Sequence, residues 1–302
     1  MNRFDMNTID QFAGAGGSSF GATLAGHEVI WAGNHDGYAI EAHKKNHPQT
    51  MHVCEDLIGH NYHTVPDHDV LMSSPACQGH SRASQPKRRR FHEELRSTAW
   101  ATVQCLDIKR PEWVVVENVP NFTNWELHDA WLKTIEAMGY HMERHVLTAT
   151  NHGVPQIRNR LFYVGRIGEK PRLTFDEPDY IPSFLDVMED TDEGWRNVED
   201  ACKGDSIRIK AGKEKCGKTF LMQQTTGHKG VPLDEPIRTI TTQDHWKLVD
   251  GDRFIRLTLT ELKRFMGFPD DYILAPGRAR AVRALGNAVC PPVMRDILAQ
   301  SS

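Results

Sequence analysis

Thr8-Ile9-Asp10-Gln11-Phe12 reads as a short buried strand, and it runs straight into the glycine-rich turn Ala13-Gly14-Ala15-Gly16-Gly17. Ser18 to Ala25 then continues with helical spacing of apolar residues. Strand, glycine turn, helix is the opening unit of an α/β fold. A turn of this composition lets backbone pass close to a ligand at a helix N-terminus, where free amides favour anionic or polar groups. It lacks the G-x-G-x-x-G spacing of a dinucleotide site, so a tight strand-to-helix turn is the alternative reading.

Outward from this unit, the alternation repeats. His27 to Ala32, Asp69 to Met72, Trp113 to Val116 and Leu161 to Val164 read as further buried strands. Ala39 to Lys45, Glu93 to Ile108 and Ala130 to Met138 read as helices between them. The pattern predicts a mostly parallel sheet covered on both faces. After Val164 the rhythm is lost in polar sequence punctuated by Pro171, Pro178, Pro182, Pro232 and Pro236. Helical spacing returns at Leu259 to Met266 and at Pro292 to Leu298. The boundaries expected from this are a first domain at 1–166, a small second domain at 167–251, and a segment 252–302 returning to the first.

The 302 residues, with a formal net charge of −4, have ordinary globular composition, which excludes disorder as a reading of the whole chain. No apolar stretch approaches the roughly 20 residues that a membrane helix needs. The first ten residues carry two acids and no apolar core, unlike a signal peptide, so an intracellular protein is expected. Six scattered cysteines form no zinc-type pair and no dense disulfide framework, leaving each as a packing residue or a reactive thiol. The 16 histidines make no ligand spacing near a Cys or acid cluster, so no metal site is expected. Charge is uneven: eight bases lie between Arg82 and Arg110 and six between Lys203 and Lys218, with seven acids in between at 186–200. Such blocks are either solvated faces or a surface that tracks phosphates.

Three further segments carry chemistry. Ser73-Ser74-Pro75-Ala76-Cys77-Gln78-Gly79-His80-Ser81 lies just past a predicted strand end, where ligands bind in open α/β sheets. A cysteine there, leading into a basic cluster, is a candidate nucleophile because cations lower a thiol's pKa. Glu117-Asn118-Val119-Pro120 follows its strand in the same way, and Glu117 is either a general acid or hydrogen-bond partner, or a helix cap. In Gln156-Ile157-Arg158-Asn159-Arg160 the alternation puts Gln156, Arg158 and Arg160 on one side, suited to phosphates or carboxylates or to a structural ion pair.

In this order, these segments resemble the cytosine-5 DNA methyltransferase family. Asp10 to Gly17 is similar to its cofactor motif, Pro75-Ala76-Cys77-Gln78 to its nucleophile motif, Glu117-Asn118-Val119 to its next catalytic motif, and Gln156 to Arg160 to its Q-x-R-x-R element. Arg256-Leu257-Thr258, with Glu261, Arg264 and Met266-Gly267-Phe268-Pro269, resembles its penultimate motif, and Gly286-Asn287-Ala288-Val289 its last. The resemblance covers nearly the whole chain. It implies a Rossmann-like S-adenosylmethionine-dependent methyltransferase sheet with a small target-recognition domain of about 85 residues at 167–251.

The implied chemistry is methyl transfer to carbon 5 of a flipped-out cytosine in double-stranded DNA. Cys77 would add to carbon 6, Glu117 would hold ring nitrogen 3 and the exocyclic amine, and Arg158, with Arg160 beside it, would assist at the base's carbonyl oxygen. S-adenosyl-L-methionine would lie against Asp10, Phe12, Gly14, Gly16, Gly17, Asn34, Asp56, Leu57, Pro75, Asn287 and Ala288. Contacts to DNA would come from Gln78, Ser81, Arg88, Arg89, Arg90, Lys210 and Lys213, with Gly79 to Arg96 as a loop closing over the base. Two departures stand out: Asn34 where the family has Glu for the ribose hydroxyls, and Ala76 where it has a second proline. A compact monomer reading a short site is expected, cytoplasmic in a bacterial or phage-infected cell and of the kind found in restriction-modification. The rivals are a tRNA cytosine methyltransferase, whose Cys-Phe-Thr tripeptide is absent here, a catalytically silent DNA-binding protein, and a nicotinamide-dependent oxidoreductase, which explains the glycine turn alone.

Overall fold

Val70 to Ser73 and Trp113 to Asn118 are apolar runs buried at every position, as central strands covered on both faces must be. Their side chains alternate between two cores. Val70, Met72 and Val115 face one, Leu71, Val114 and Val116 the other. The computed structural model describes residues 6–76, 98–189 and 193–301.

In chain order the strands are β1 (Asn7–Gln11), β2 (Glu28–Asn34), β3 (Met51–Cys54), β4 (Val70–Ser73), β5 (Trp113–Asn118), β6 (Tyr140–Thr148), β7 (Gln156–Ile157), β8 (Asn159–Ile167), β9 (Arg196–Asn197), β10 (Thr219–Gln223), β11 (Ile237–Arg238), β12 (Trp246–Asp250) and β13 (Arg253–Arg256). Seven form one sheet in the order β3-β2-β1-β4-β5-β8-β6. Pairing is parallel from β3 to β5, and β8 runs antiparallel to both β5 and β6. This is an α/β Rossmann-like sheet. The expected strands appear within a few residues, but β8 is reversed relative to a purely parallel sheet, and the chain also builds β3 and the edge strand β6, which the sequence pattern did not indicate.

Chain order reverses between β1 and β4: β2 and β3 lie to one side, β5 to the other. Loops leaving the carboxyl ends of β1 and β4 therefore splay apart and open a crevice. One loop is the glycine turn and the other is Ser74-Pro75-Ala76, and they are tied at their base by Ser74 N–H donating to the Gln11 carbonyl at 3.1 Å.

A second sheet, β10-β12-β13-β9, is antiparallel and is covered by the helix Lys203–Cys216. That helix passes so close to β10 that a Cβ at Gly212 would strike the Phe220 ring. The sheet runs on through β13, past the limit of 251 expected from the sequence. Beyond it the helices Leu259–Arg264, Arg278–Asn287 and Pro291–Leu298 return to the first sheet. The last lies on the first helix, Gly17–Leu24, at a site where a Cβ at Gly21 would strike Pro291 and Met294. Among the described residues no helix is long and apolar enough to cross a membrane.

Candidate active site

The glycine turn is built from left-handed backbone. Phe12 (φ 63°), Gly14 (φ 54°) and Gly16 (φ 81°) all adopt positive φ, and for Phe12 this is a strained conformation of the kind kept at functional sites. Space under the turn is equally restricted: a Cβ at Gly17 would strike the Val289 carbonyl oxygen, and one at Gly16 the Tyr272 hydroxyl. Gly17 and Val289 thus bring the last motif against the first. Asn287 is exposed at the end of its helix, with Ala288 buried beside it.

Asp10 ends buried beneath this turn. Its Oδ2 accepts from Ser19 Oγ at 2.6 Å, while Oδ1 has no hydrogen-bond partner among the described residues. Burial pushes its pKa up to about 7 against the opposing hydrogen bonds from Ser19. Around the crevice, Asn34 closes β2 with its Oδ1 accepting from the Asp36 amide at 2.8 Å. Past β3, Asp56 is exposed and Leu57 buried. A left-handed turn with open amides, an acid with an unused oxygen, an amide at the β2 end and an apolar wall at Leu57 are a donor set that fits a nucleoside bearing a charged amino-acid tail.

On the β4 side, the Pro75 carbonyl accepts from Asn118 Nδ2 at 3.1 Å, and the Ala76 amide donates to Thr98 Oγ1 at 3.0 Å. Cys77, Gln78, Ser81, Arg88, Arg89 and Arg90, and the loop expected at Gly79 to Arg96, lie outside the described residues. Asn118 belongs to a segment noted in the sequence, but nothing there marked its hold on Pro75.

Glu117 stands at the carboxyl end of β5, with 7% of its surface exposed. Burial raises its pKa, opposed by the charges of Arg160 and Arg158. Its Oε1 pairs with Arg160 Nε at 3.1 Å.

The expectation that Arg158 reaches toward a substrate base does not hold. Arg158 is 2% exposed, and its guanidinium donates to the carbonyls of Ile240, Gly286 and Ala288 at 3.0, 2.8 and 2.7 Å. The physical reason is that two chain segments end with carbonyls facing inward, and only a forked cation there satisfies them all. Gln156 does related work, accepting from the Ile240 amide and donating to the Phe265 carbonyl, each at 2.8 Å. Of the three residues, Arg160 is the one turned to Glu117.

The Lys203 to Lys218 block is less of a phosphate surface than its charge suggested. Lys213 pairs with Asp252 at 3.1 Å, Lys215 donates to the Gly230 carbonyl, and Arg208 donates to Thr225 and Asp205. Lys210 is exposed on the same helix. Lys213 lies in the open beside the fully exposed Asp252 at the β12–β13 turn. Among the described residues, no group of His, Cys, Asp and Glu has metal-holding geometry.

The family described as C-5 cytosine-specific DNA methylase matches this chain over residues 6–302. The chain is similar to the Type II methyltransferase M.NlaX of Neisseria lactamica, at 27% identity over 97% of this chain and 95% of the relative. It is also similar to the Type II methyltransferase M.MspI of Moraxella sp, at 28% identity over 99% of this chain and 71% of the relative. Among solved structures, the Entamoeba histolytica methyltransferase EhMeth shares the fold, with a TM-score of 0.73, 16% identity, and coverage of 98% of this chain and 97% of that one.

Proposed function

The chain belongs to the C-5 cytosine-specific DNA methylase family, and on that premise we propose how its own residues transfer a methyl group to carbon 5 of cytosine in DNA. The observation that carries the assignment is the meeting of Glu117 and Arg160 at the sheet edge where Asn118 holds Pro75, two residues before Cys77 in the sequence.

Cytosine carbon 5 is a weak nucleophile, and duplex stacking hides it. The base is therefore flipped out, at a cost of a few kcal/mol offset by contacts to the protein. Cys77 supplies the thiolate that adds to carbon 6, turning the ring into an enamine with carbon 5 nucleophilic. Glu117 receives the ring, hydrogen-bonding at nitrogen 3 as charge develops there and accepting from the exocyclic amine. Arg160 fixes the Glu117 orientation and offers its remaining N–H groups to the carbonyl oxygen of the base. Arg158 acts at one remove, fastening the segments that wall the site. S-adenosyl-L-methionine, bound over the glycine turn, supplies the electrophilic methyl group. After transfer, a base removes the carbon-5 proton, the electron pair re-forms the ring double bond, and the Cys77 thiolate is expelled.

For the cofactor, the turn backbone at Phe12, Gly14 and Gly16 would lie against its amino-acid part, Leu57 and Asp56 against its adenine, and Asn34 at its ribose, where an uncharged amide makes a weaker contact than a carboxylate. Asn287 and Ala288 form the far wall. The reading includes action as a monomer, a small recognition domain from 167 to the end of β13 that reads a short site, and DNA contacts from Gln78, Ser81, Arg88, Arg89, Arg90, Lys210 and Lys213.

The test is incubation with duplex DNA, tRNA and methyl-labelled S-adenosylmethionine beside Cys77→Ser, with the labelled base identified by mass spectrometry. Methylcytosine in DNA, lost in Cys77→Ser, is the expected result. Label in tRNA alone would overturn the DNA assignment.

A further inference from the structure

Behind the glycine turn, a line of polar side chains runs from Asp10 to the sheet edge and has no part in the reaction just described. Ser19 Oγ lies 2.6 Å from Asp10 Oδ2 and 2.9 Å from His43 Nε2. His43 Nδ1 lies 2.8 Å from His52 Nε2. Asp10, Ser19 and His43 are buried, and His52 on β3 is half-buried. The ring of His43 lies directly under Gly16, where an added Cβ would contact it at 3.0 Å.

We propose that His43 is a positioning residue for the cofactor turn: through Ser19 it holds Asp10, and with His52 it completes a hydrogen-bonded chain that moves one proton between the turn and the sheet edge. The proposal rests on the reading of the turn as the cofactor site.

The chain has two polarities with the same number of protons. In the first, protonated Asp10 donates to Ser19 Oγ, Ser19 donates to His43 Nε2, and His43 Nδ1–H donates to His52 Nε2, so every group is neutral. Three hops, each by one hydrogen bond, reverse it. Asp10 becomes a carboxylate accepting from Ser19, Ser19 accepts from His43 Nε2–H, His43 Nδ1 accepts from His52 Nε2–H, and His52 becomes the imidazolium. His43 is neutral in both, as deep burial requires. A sulfonium at the turn attracts the Asp10 carboxylate and favours the second polarity, whereas the thioether left after methyl transfer carries no such charge.

The groups facing the chain are few. His47 lies against His43 with ring centroids 4.5 Å apart at a tilt of 33°, and burial pushes its pKa down to about 4, leaving it neutral. Lys44 and Glu41, paired at 2.8 Å on the helix Gly37–Asn46 that carries His43, flank His52, whose pKa burial lowers. Tyr272, from the C-terminal segment, donates to the Ala15 carbonyl at 2.8 Å, and burial holds its phenol protonated.

The experiment is nitrogen-15 NMR of the histidine rings in the full chain, free and with S-adenosylmethionine or S-adenosylhomocysteine, beside calorimetric Kd values. S-adenosylmethionine is expected to shift His43 to the Nε2–H tautomer and S-adenosylhomocysteine to leave it unchanged. Ser19→Ala should abolish the shift and weaken binding about tenfold, the loss of one buried hydrogen bond. His43→Gln, whose amide nitrogen still reaches Ser19, should recover the Kd, and His43→Phe should not. An identical His43 tautomer with both ligands bound, or wild-type affinity in His43→Phe, would overturn the proposal. Failure of the wild-type protein to bind either ligand would instead bring down the cofactor reading together with it.

Discussion

Asn118 Nδ2 donates to the Pro75 carbonyl across 3.1 Å, joining the ends of β5 and β4 on the floor of the crevice. The same side chain accepts from the Val119 amide at 2.9 Å, so one buried amide fixes both loops that carry the reacting groups. Asn118→Ala leaves two backbone groups unmatched and is expected to cost about 1–3 kcal/mol. Chemical denaturation checks the loss. Covalent trapping on duplex DNA with 5-fluorocytosine, whose fluorine blocks the final elimination, should slow further than the stability change explains.

Arg158 and Arg160 should separate cleanly. Arg158→Met strips three inward carbonyls of their partner and should destabilise the fold by roughly 3–5 kcal/mol, as for a broken buried charge network, with a lowered melting temperature. Arg160→Met should melt close to the wild type but lose about 100-fold or more in kcat, the scale of a lost donor at a developing charge. Equal losses of stability in the two variants would contradict the division of roles.

Asp10 gives stability a pH dependence with a definite sign. A carboxyl whose pKa rises from 3.8 unfolded to about 7 folded binds more protons in the native state between those values. Its contribution is full below the unfolded value and is lost as pH rises through about 7. Neutral buried His43 and His47 act oppositely, their contribution being lost as pH falls below the unfolded value of 6.5. Asp10→Asn removes only the first effect. Its denaturation free energy, relative to wild type, should therefore improve as pH is raised from 5 toward 8, by on the order of a few kcal/mol; a flat difference would show that Asp10 is not perturbed.

In the small sheet, Lys247 reaches Asp205 at 2.5 Å with both side chains buried. Asp205→Ala strands a buried ammonium and should destabilise this region by about 3–5 kcal/mol, seen as rapid proteolysis at 196–256. Asp205→Leu with Lys247→Met, which removes both charges, should restore most of the resistance.

The central strands were legible because their burial is written in uninterrupted runs such as Trp113 to Val116, and the crevice followed from where those runs stop. The edge strand β6 was not, since Tyr140 to Thr148 carries His141, Glu143, Arg144 and His145 and shows no run at all. The helix Lys203–Cys216 was hidden similarly, having only Asp205, Ile209 and Gly212 buried. Within the site, Glu117 was readable from its place after a strand. The exchange of roles between Arg158 and Arg160 was not, because both lie at alternate positions on one side and the carbonyls that claim Arg158 are 82 to 130 residues away.

Val289 backs Gly17, and Tyr272 is bonded to the carbonyls of Ala15 and Gly16. A nascent chain that has released its first 250 residues therefore still has an unsupported cofactor turn, however well its strands have paired. These contacts are made only once residues 272–289 have docked, a closure that spans most of the polypeptide.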